Sequence, residues 1–303
     1  MREEKFASDN RRIRAVTYLG IFINIGLAFV KLVVGTIAGS MALFADGVHS
    51  FSDVATDIVV LLGVRFGSKE PDTKHPYGHG RIETFSTVVV AVILVVVGGL
   101  MIYKASMSIA RVRGGAEQEC VISALVVWVA ILSVVLKEGL YWITRIVAVR
   151  SHSTALYANA WHHRSDALSS VAVLIGFASI KMGYAYGDQV AAIAVGLMII
   201  LVGAKIVGKC FDELTERAVD GDTFKQITQI IESDGNIRKW HKLRTRNVGR
   251  EIFIDLHILV DPGLNIVEAH DIAEELEVAM HEKIVRPVNI TVHVEPDVPD
   301  LVG

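Results

Sequence analysis

The sequence contains little cysteine and none of the motifs that bind nucleotides or nucleic acids. It has two cysteines in 303 residues, and neither belongs to a C-x-x-C zinc pattern. It has no glycine-rich phosphate loop, no Ser/His/Asp arrangement and no basic surface interleaved with aromatic residues. These absences argue against a cysteine zinc site, ATP hydrolysis, enzymatic catalysis and nucleic-acid binding. Because no nucleotide site is present, we expect any energy that this chain uses to come from an ion gradient.

Hydrophobic residues are abundant instead. They make up 52% of the chain, and its mean hydropathy is +0.45, too high for an ordinary soluble domain of this size. Each of six apolar stretches is long enough to cross about 30 Å of hydrocarbon as a helix. The sequence therefore predicts a polytopic α-helical membrane protein with six transmembrane helices within residues 1–210. The six stretches are 15–35, 41–65, 84–107, 121–147, 154–181 and 188–209.

The composition changes after residue 210. Residues 211–303, called the tail below, carry 10 Lys/Arg and 19 Asp/Glu, a net charge of −9. Helical spacing in two segments and strand alternation in three predict the order αββαβ, a three-stranded sheet with two helices on one face. This small α/β domain resembles soluble metallochaperones. Its segments are Thr223–Ser233, His241–Val248, Ile252–Val260, Ile266–Lys283 and Val288–Val294.

Basic residues predict the orientation in the membrane. Five cations precede the first span, and the loops after spans two and four are also basic, which places these segments on the cytoplasmic side. Arg111 and Arg113 fall on the outer side and do not fit this pattern. We expect both termini to be cytoplasmic and the spans to lie in the cell (inner) membrane.

Two His-x-x-x-Asp pairs lie inside the predicted second and fifth spans. The pairs are His49/Asp53 and His162/Asp166, and residues four apart share one face of a helix. Ionisable groups at membrane depth are costly and need compensation. Two imidazoles and two carboxylates suit a tetrahedral divalent metal such as zinc, although interhelical hydrogen bonding would also account for a single pair. His163 could replace His162, but His162 has the i, i+4 spacing.

Other polar residues in the spans allow more than one interpretation. Asp46 and Asp57 continue the face of the second span and could line an aqueous approach, take part in proton movement, or reach the interface harmlessly. Lys137 and Glu138 are adjacent and so point to different sides, which favours structural ion pairs with other helices. Asn24 could form a hydrogen bond to a neighbouring helix or could line an ion pathway.

Two further groups of potential ligands lie outside the spans. Asp72, His75 and His79 share a short loop rich in proline and glycine, where they could bind metal together or be merely solvated. The tail has an unusual density of histidine, with a glutamate two residues from one of them on the same strand face. We expect this second group to bind metal as well. Its members are His241, His257, His270, His293 and Glu295.

The chain resembles the cation diffusion facilitators, a family of zinc/proton antiporters, nearly from end to end. The resemblance lies in GSMALFADGVHSFSD, KHPYGHGRIE and KEGLYWITR, and in the tail in HKLRTRNVG, FIDLHILVD, VEAHDIAEELE and ITVHVEP. It implies a homodimer with a binuclear metal site at the dimer interface of the tails, and a charge interlock between Arg81 and Glu216. It also implies an intramembrane metal site at His49, Asp53, His162 and Asp166, and a loop site at Asp72, His75 and His79.

These observations lead to one main functional expectation. We expect efflux of divalent metal, most simply Zn²⁺, in exchange for protons by alternating access, with further regulatory zinc in the tail. Fe²⁺, Mn²⁺, Cd²⁺ or Co²⁺ could be the transported metal instead. A non-transporting membrane scaffold or a metal-sensing protein is the alternative from another class.

Overall fold

The computed structural model describes residues 2–37, 41–113, 124–182 and 187–298 of the chain. These form two compact units, Glu3–Cys210 and Phe211–Gly303, and the boundary lies where the composition turns acidic. The first unit contains six long helices and the second contains two helices and three strands. The helices of the first unit are α1 (Arg2–Ile37), α2 (Met41–Gly67), α3 (Arg81–Arg113), α4 (Ala124–Arg150), α5 (Thr154–Lys181) and α6 (Gly187–Leu214).

Within the described residues, four of these helices contain a segment that is long and apolar enough to cross a membrane. The segments are Ser8–Ile37, Arg81–Ala110, Val127–Arg150 and Ala192–Leu214. They confirm four of the six predicted spans. The helices α2 and α5 have 27 and 28 residues, which is a sufficient length. Transmembrane placement of α2 and α5 therefore stays a prediction.

Close helix contacts in the first unit depend on small residues. Gly98 of α3 and Gly196 of α6 face each other, and a Cβ on either would lie 2.7–2.8 Å from the carbonyl oxygen of the other. Such an approach is possible only for glycine, since real Cβ atoms do not come this near. Large apolar side chains such as Phe22 and Trp128 point outward, at 77% and 68% exposed. An outward apolar surface of this kind suits a helix bundle surrounded by lipid.

The tail contains α7 (Gly221–Glu232), β1 (Lys239–Val248), β2 (Glu251–Val260), α8 (Ile266–Lys283) and β3 (Val288–Pro296). This is the predicted αββαβ order. The sheet order is β1-β2-β3, with β1 antiparallel and β3 parallel to β2. The parallel pairing follows from the α8 crossover, because a hairpin can join only antiparallel strands.

One hydrophobic core holds the tail together. Alternate residues of β2 contact the apolar stripes of α7 and α8, so both helices cover one face of the sheet. The opposite face of β2 carries Asp255 and His257 together with the apolar Phe253 and Leu259. Both helices begin at side-chain caps, Asp220 for α7 and a capping box of Asn265 with Glu268 for α8. Core members include Ile227, Ile231, Ile254, Leu256, Ile258, Leu276 and Met280.

Candidate metal centres

Three of the predicted intramembrane ligands converge inside the helix bundle. Asp53 comes from α2, while His162 and Asp166 come from successive turns of α5, and one ligand atom of each lies within 4.8 Å of the others. We call these three residues the buried cluster. His162 Nε2 lies 3.4 Å from Asp53 Oδ1 and 3.9 Å from Asp166 Oδ2. Neither ring nitrogen of His162 has a hydrogen-bond partner among the described residues, so the imidazole is available as a ligand.

The fourth predicted ligand is only partly described. The backbone of His49 belongs to α2, one helical turn before Asp53, but its side chain lies outside the described residues. The side chain of Asp46 also lies outside them. Cys120 falls in a segment that is not described, and Cys210 is buried and forms no disulfide among the described residues.

His163 does not face the buried cluster. Its Nε2 lies 3.6 Å from Asp57 Oδ1, and Asp57 also accepts hydrogen bonds from Asn24 at 2.8 Å and Asn159 at 2.7 Å. Asp57 has no solvent exposure, and its part in an aqueous approach or in proton movement stays a prediction. Asn24 joins α1 to α2 through this carboxylate, which is the interhelical bonding that the sequence allowed.

Lys137 of α4 lies between the two carboxylates of the buried cluster. Its Nζ donates to Asp53 Oδ2 at 2.7 Å and to Asp166 Oδ2 at 2.8 Å, and its side chain is 1% exposed. The expected ion pairs of Lys137 with other helices are therefore present, but their partners are the predicted metal ligands. A lysine at the centre of an apolar span requires carboxylate partners, and this requirement could have identified the contact from sequence. The adjacent Glu138 lies 3.6 Å from Arg164.

The loop between α2 and α3 also brings its three predicted ligands together. Asp72 Oδ1 accepts from the backbone N–H groups of His75 and Lys74, and these bonds hold the pKa of Asp72 below its ordinary value. His79 Nε2 lies 3.4 Å from Asp72 Oδ2, and the rings of His75 and His79 are 4.4 Å apart. Gly78 turns the loop with φ of +80°, a value that favours glycine. We call Asp72, His75 and His79 the loop cluster.

The register of the tail sheet aligns three histidines in one row. His241 of β1 is opposite His257 of β2, which is opposite His293 of β3. The ring centroids are 5.2 Å apart for the first pair and 4.5 Å apart for the second. A β-bulge between His241 and Arg244, where Lys242 has φ of +50°, shifts the β1 register so that His241 belongs to this row.

Glu295 joins the row from two residues further along β3. Its carboxylate lies 3.0 Å from His241 Nε2, 2.7 Å from His257 Nδ1 and 3.4 Å from His293 Nε2. The hydrogen bond with His257, followed by the positive potential of the imidazoles, holds the pKa of Glu295 below its ordinary value. We call His241, His257 and Glu295 the tail cluster, because their ligand atoms all lie within 4.8 Å of one another.

Two predicted features of the tail stay predictions. His270 is exposed on α8 and does not join the tail cluster. Its part in a site shared between two tails stays a prediction. Glu216 lies 3.9 Å from Arg246 in its own unit, and its proposed interlock with Arg81 is likewise untested.

The donors of all three clusters are imidazole nitrogens and carboxylate oxygens. Zn²⁺ and its neighbours in the first transition row bind both kinds of atom, and three protein ligands leave a position open for exchange. The buried cluster differs from the other two because all three of its side chains are buried inside a helix bundle.

Family profiles match nearly the whole chain. Residues 17–215 match the cation efflux transmembrane domain, and residues 219–297 match the cytoplasmic domain of cation efflux proteins. The chain is 35% identical over 288 residues to an uncharacterized transporter of Methanocaldococcus jannaschii, covering 94% of this chain and 99% of that protein.

Two further relatives have names that describe metal handling. Metal tolerance protein C1 of Arabidopsis thaliana is 32% identical over 289 residues, with 92% of this chain and 61% of that protein covered. The manganese efflux system protein MneP of Bacillus subtilis is 28% identical over 298 residues, with 96% of this chain and 98% of that protein covered.

Proposed function

This chain belongs to the cation efflux family, the cation diffusion facilitators, and on that premise we propose that it exports Zn²⁺ in exchange for protons by alternating access. Divalent cation efflux across a membrane is the activity of the family, which is not a family of enzymes. The proposal adds the identity of the metal, the counter-ion and the residues that hold the metal.

The convergence of Asp53, His162 and Asp166 supports this function best. Their ligand atoms lie within 4.8 Å of one another, although the residues come from two helices and are up to 113 positions apart in sequence, between Asp53 and Asp166. No more than 6% of any of the three residues is exposed. A divalent cation at this position would compensate the two carboxylates, with His49 as the proposed fourth ligand from the preceding turn of α2.

Proton exchange follows from the chemistry of these ligands. Imidazole binds metal in its neutral form and carboxylate in its ionised form, so metal loading displaces any protons that the ligands hold. An unperturbed imidazole titrates near pH 6.5, and a site that opens toward a more acidic side would therefore exchange metal for protons there. This favours export from a cytoplasm that is less acidic than the outside.

The ligand set favours zinc over harder ions. Two histidines with two aspartates suit Zn²⁺, and Cd²⁺ or Co²⁺ can occupy the same donors, whereas Mn²⁺ prefers oxygen. Fe²⁺ also binds mixed nitrogen and oxygen ligands. Competition among these five ions in one transport assay would rank them.

The test is metal uptake into proteoliposomes that contain the full chain and a zinc-sensitive dye. With an inwardly directed zinc gradient and an acidic lumen, the wild-type protein is expected to raise lumenal zinc and lumenal pH together. Asp53→Ala and Asp166→Ala are expected to abolish uptake, while Glu274→Ala, which removes an exposed carboxylate of α8, is the matched control. Retained uptake in both aspartate variants would overturn the site assignment.

The same assay separates transport from the alternative function. A membrane scaffold or a metal sensor would bind zinc without moving it into the lumen. Zinc uptake that does not change lumenal pH would instead retain the transporter but remove the proton as counter-ion.

We also propose that the tail cluster is regulatory in a homodimer. Each tail carries a net charge of −9, so two tails repel, and bound zinc would reduce this repulsion. Zinc is expected to shorten the distance between labels placed on the two tails of the full-length dimer. The same labels on Glu295→Gln protein are expected to show little change, and an unchanged distance in the wild type would contradict the regulatory role.

A further inference from the structure

Lys137 occupies the space between the two carboxylates of the buried cluster. Its ammonium donates to Asp53 at 2.7 Å and to Asp166 at 2.8 Å. We propose that this ammonium is a tethered counter-cation that competes with the transported metal for the same two oxygen atoms. The inference rests on the proposed function, because it takes these carboxylates as metal ligands.

A metal ion and the ammonium cannot hold the two oxygens together. Zinc binds carboxylate oxygen at about 2.0–2.2 Å. An ion at that distance from both oxygens would be close beside Lys137 Nζ, which itself lies within 2.8 Å of each. An ammonium has three donors and no acceptor, so it cannot become a ligand, and two adjacent cations repel strongly in a low-dielectric interior. Metal loading through these two oxygen atoms therefore requires Lys137 to leave them.

In the metal-free transporter, the ammonium of Lys137 compensates the charge of the two buried carboxylates. Two buried carboxylates without a cation would be strongly destabilising at membrane depth. Lys137 supplies the compensating charge from within the chain, so the empty site keeps its geometry while the protein resets. When metal is bound, the displaced ammonium favours release, because its return restores two charge-assisted hydrogen bonds.

The arrangement also bears on ion selectivity. Any cation that enters must interact with the ligands more favourably than the ammonium does. A divalent ion has twice the charge of Na⁺ or K⁺ and binds the imidazole of His162 as well, whereas these monovalent ions bind imidazole poorly. Lys137 thus excludes the abundant monovalent cations without a separate filter.

Zinc affinity of the full-length protein tests the proposal. Titrations are made in a background of Asp72→Ala and His257→Ala, which disables the loop and tail clusters. Lys137→Met removes the charge but keeps most of the side-chain length, and it is expected to tighten zinc binding roughly 5- to 150-fold, the usual range of coupling between two sites. Lys137→Arg keeps a cation and is expected to bind nearly as the parent does.

A second buried lysine provides the control. Lys31 of α1 is 2% exposed, and its Nζ donates to Ser50. Lys31→Met removes a buried ammonium whose described hydrogen bond is to a serine, and it is expected not to tighten zinc binding. A purely structural role for Lys137 predicts weaker or unchanged binding in Lys137→Met, and either result would overturn the proposal.

A structure of the zinc-loaded wild-type protein gives a readout that does not depend on any variant folding. The proposal expects Lys137 Nζ to have left both carboxylates, and it fails if Nζ still bonds both beside a bound ion. The proposed function has a separate failure, namely wild-type protein that does not move zinc into proteoliposomes. A transporting protein with unchanged affinity in Lys137→Met would refute only this inference.

Discussion

Removing both carboxylates of the buried cluster is expected to destabilise the protein by more than the sum of the two single changes. Lys137 Nζ bonds both Asp53 and Asp166, so Asp53→Asn or Asp166→Asn alone leaves it one carboxylate. Each single change removes one charge-assisted hydrogen bond, a loss of roughly 1.5–3 kcal/mol. The second change leaves a buried ammonium without a carboxylate in the buried cluster, and breaking a buried ion pair costs about 3–5 kcal/mol.

The assay is thermal unfolding of full-length protein in detergent, compared across four variants and the wild type. The two single variants are expected to unfold slightly earlier than the wild type, and the double variant much earlier. Adding Lys137→Met to the double variant removes the orphaned ammonium and is expected to restore most of the loss. The reasoning is refuted if the double variant loses no more than the sum of the singles, or if Lys137→Met restores nothing.

Four other predictions concern the tail. Glu295→Gln is expected to weaken zinc binding by the tail more than about 10-fold, measured by calorimetry, because one carboxylate contacts every histidine of the row. Since folding lowers the pKa of Glu295, its stabilisation is present above its ordinary pKa of 4.5 and is lost as pH falls through the lowered value. The unfolding midpoints of wild type and Glu295→Gln are therefore expected to converge in acid, and a constant difference would contradict this. Asp220→Ala removes the N-cap of α7 and is expected to cost about 1 kcal/mol, whereas Asp222→Ala in the first turn should cost less in the same denaturant titration. Leu256→Ala empties a core position that is 1% exposed and is expected to cost about 2–5 kcal/mol; a smaller loss would mean that the core closes around the gap.

The tail was predictable from sequence because its patterns are local. Alternation marks β2, helical spacing marks α7 and α8, and the structure confirms the order αββαβ. The bulge in β1 was not predictable, because it depends on Lys242 adopting a positive φ that its residue type does not favour. Without that bulge, His241 would not lie opposite His257 in the row.

The helical unit was predictable in part. Long apolar stretches are detected one helix at a time, and four of the predicted spans are confirmed. The other two helices, α2 and α5, carry the ionisable residues of the candidate site, and their place in the membrane stays a prediction.

By itself, the sequence determined which residues share a helix face, because a separation of four residues always returns to the same side of an α-helix. It therefore identified His162 with Asp166 as a pair of candidate ligands. Only the tertiary structure decided which helices are neighbours, since packing depends on the fit of whole helix surfaces rather than on spacing along one chain segment. That packing brought Asp53 to the α5 pair, turned His163 toward Asp57, and put the ammonium of Lys137 at the position where the metal is proposed to bind.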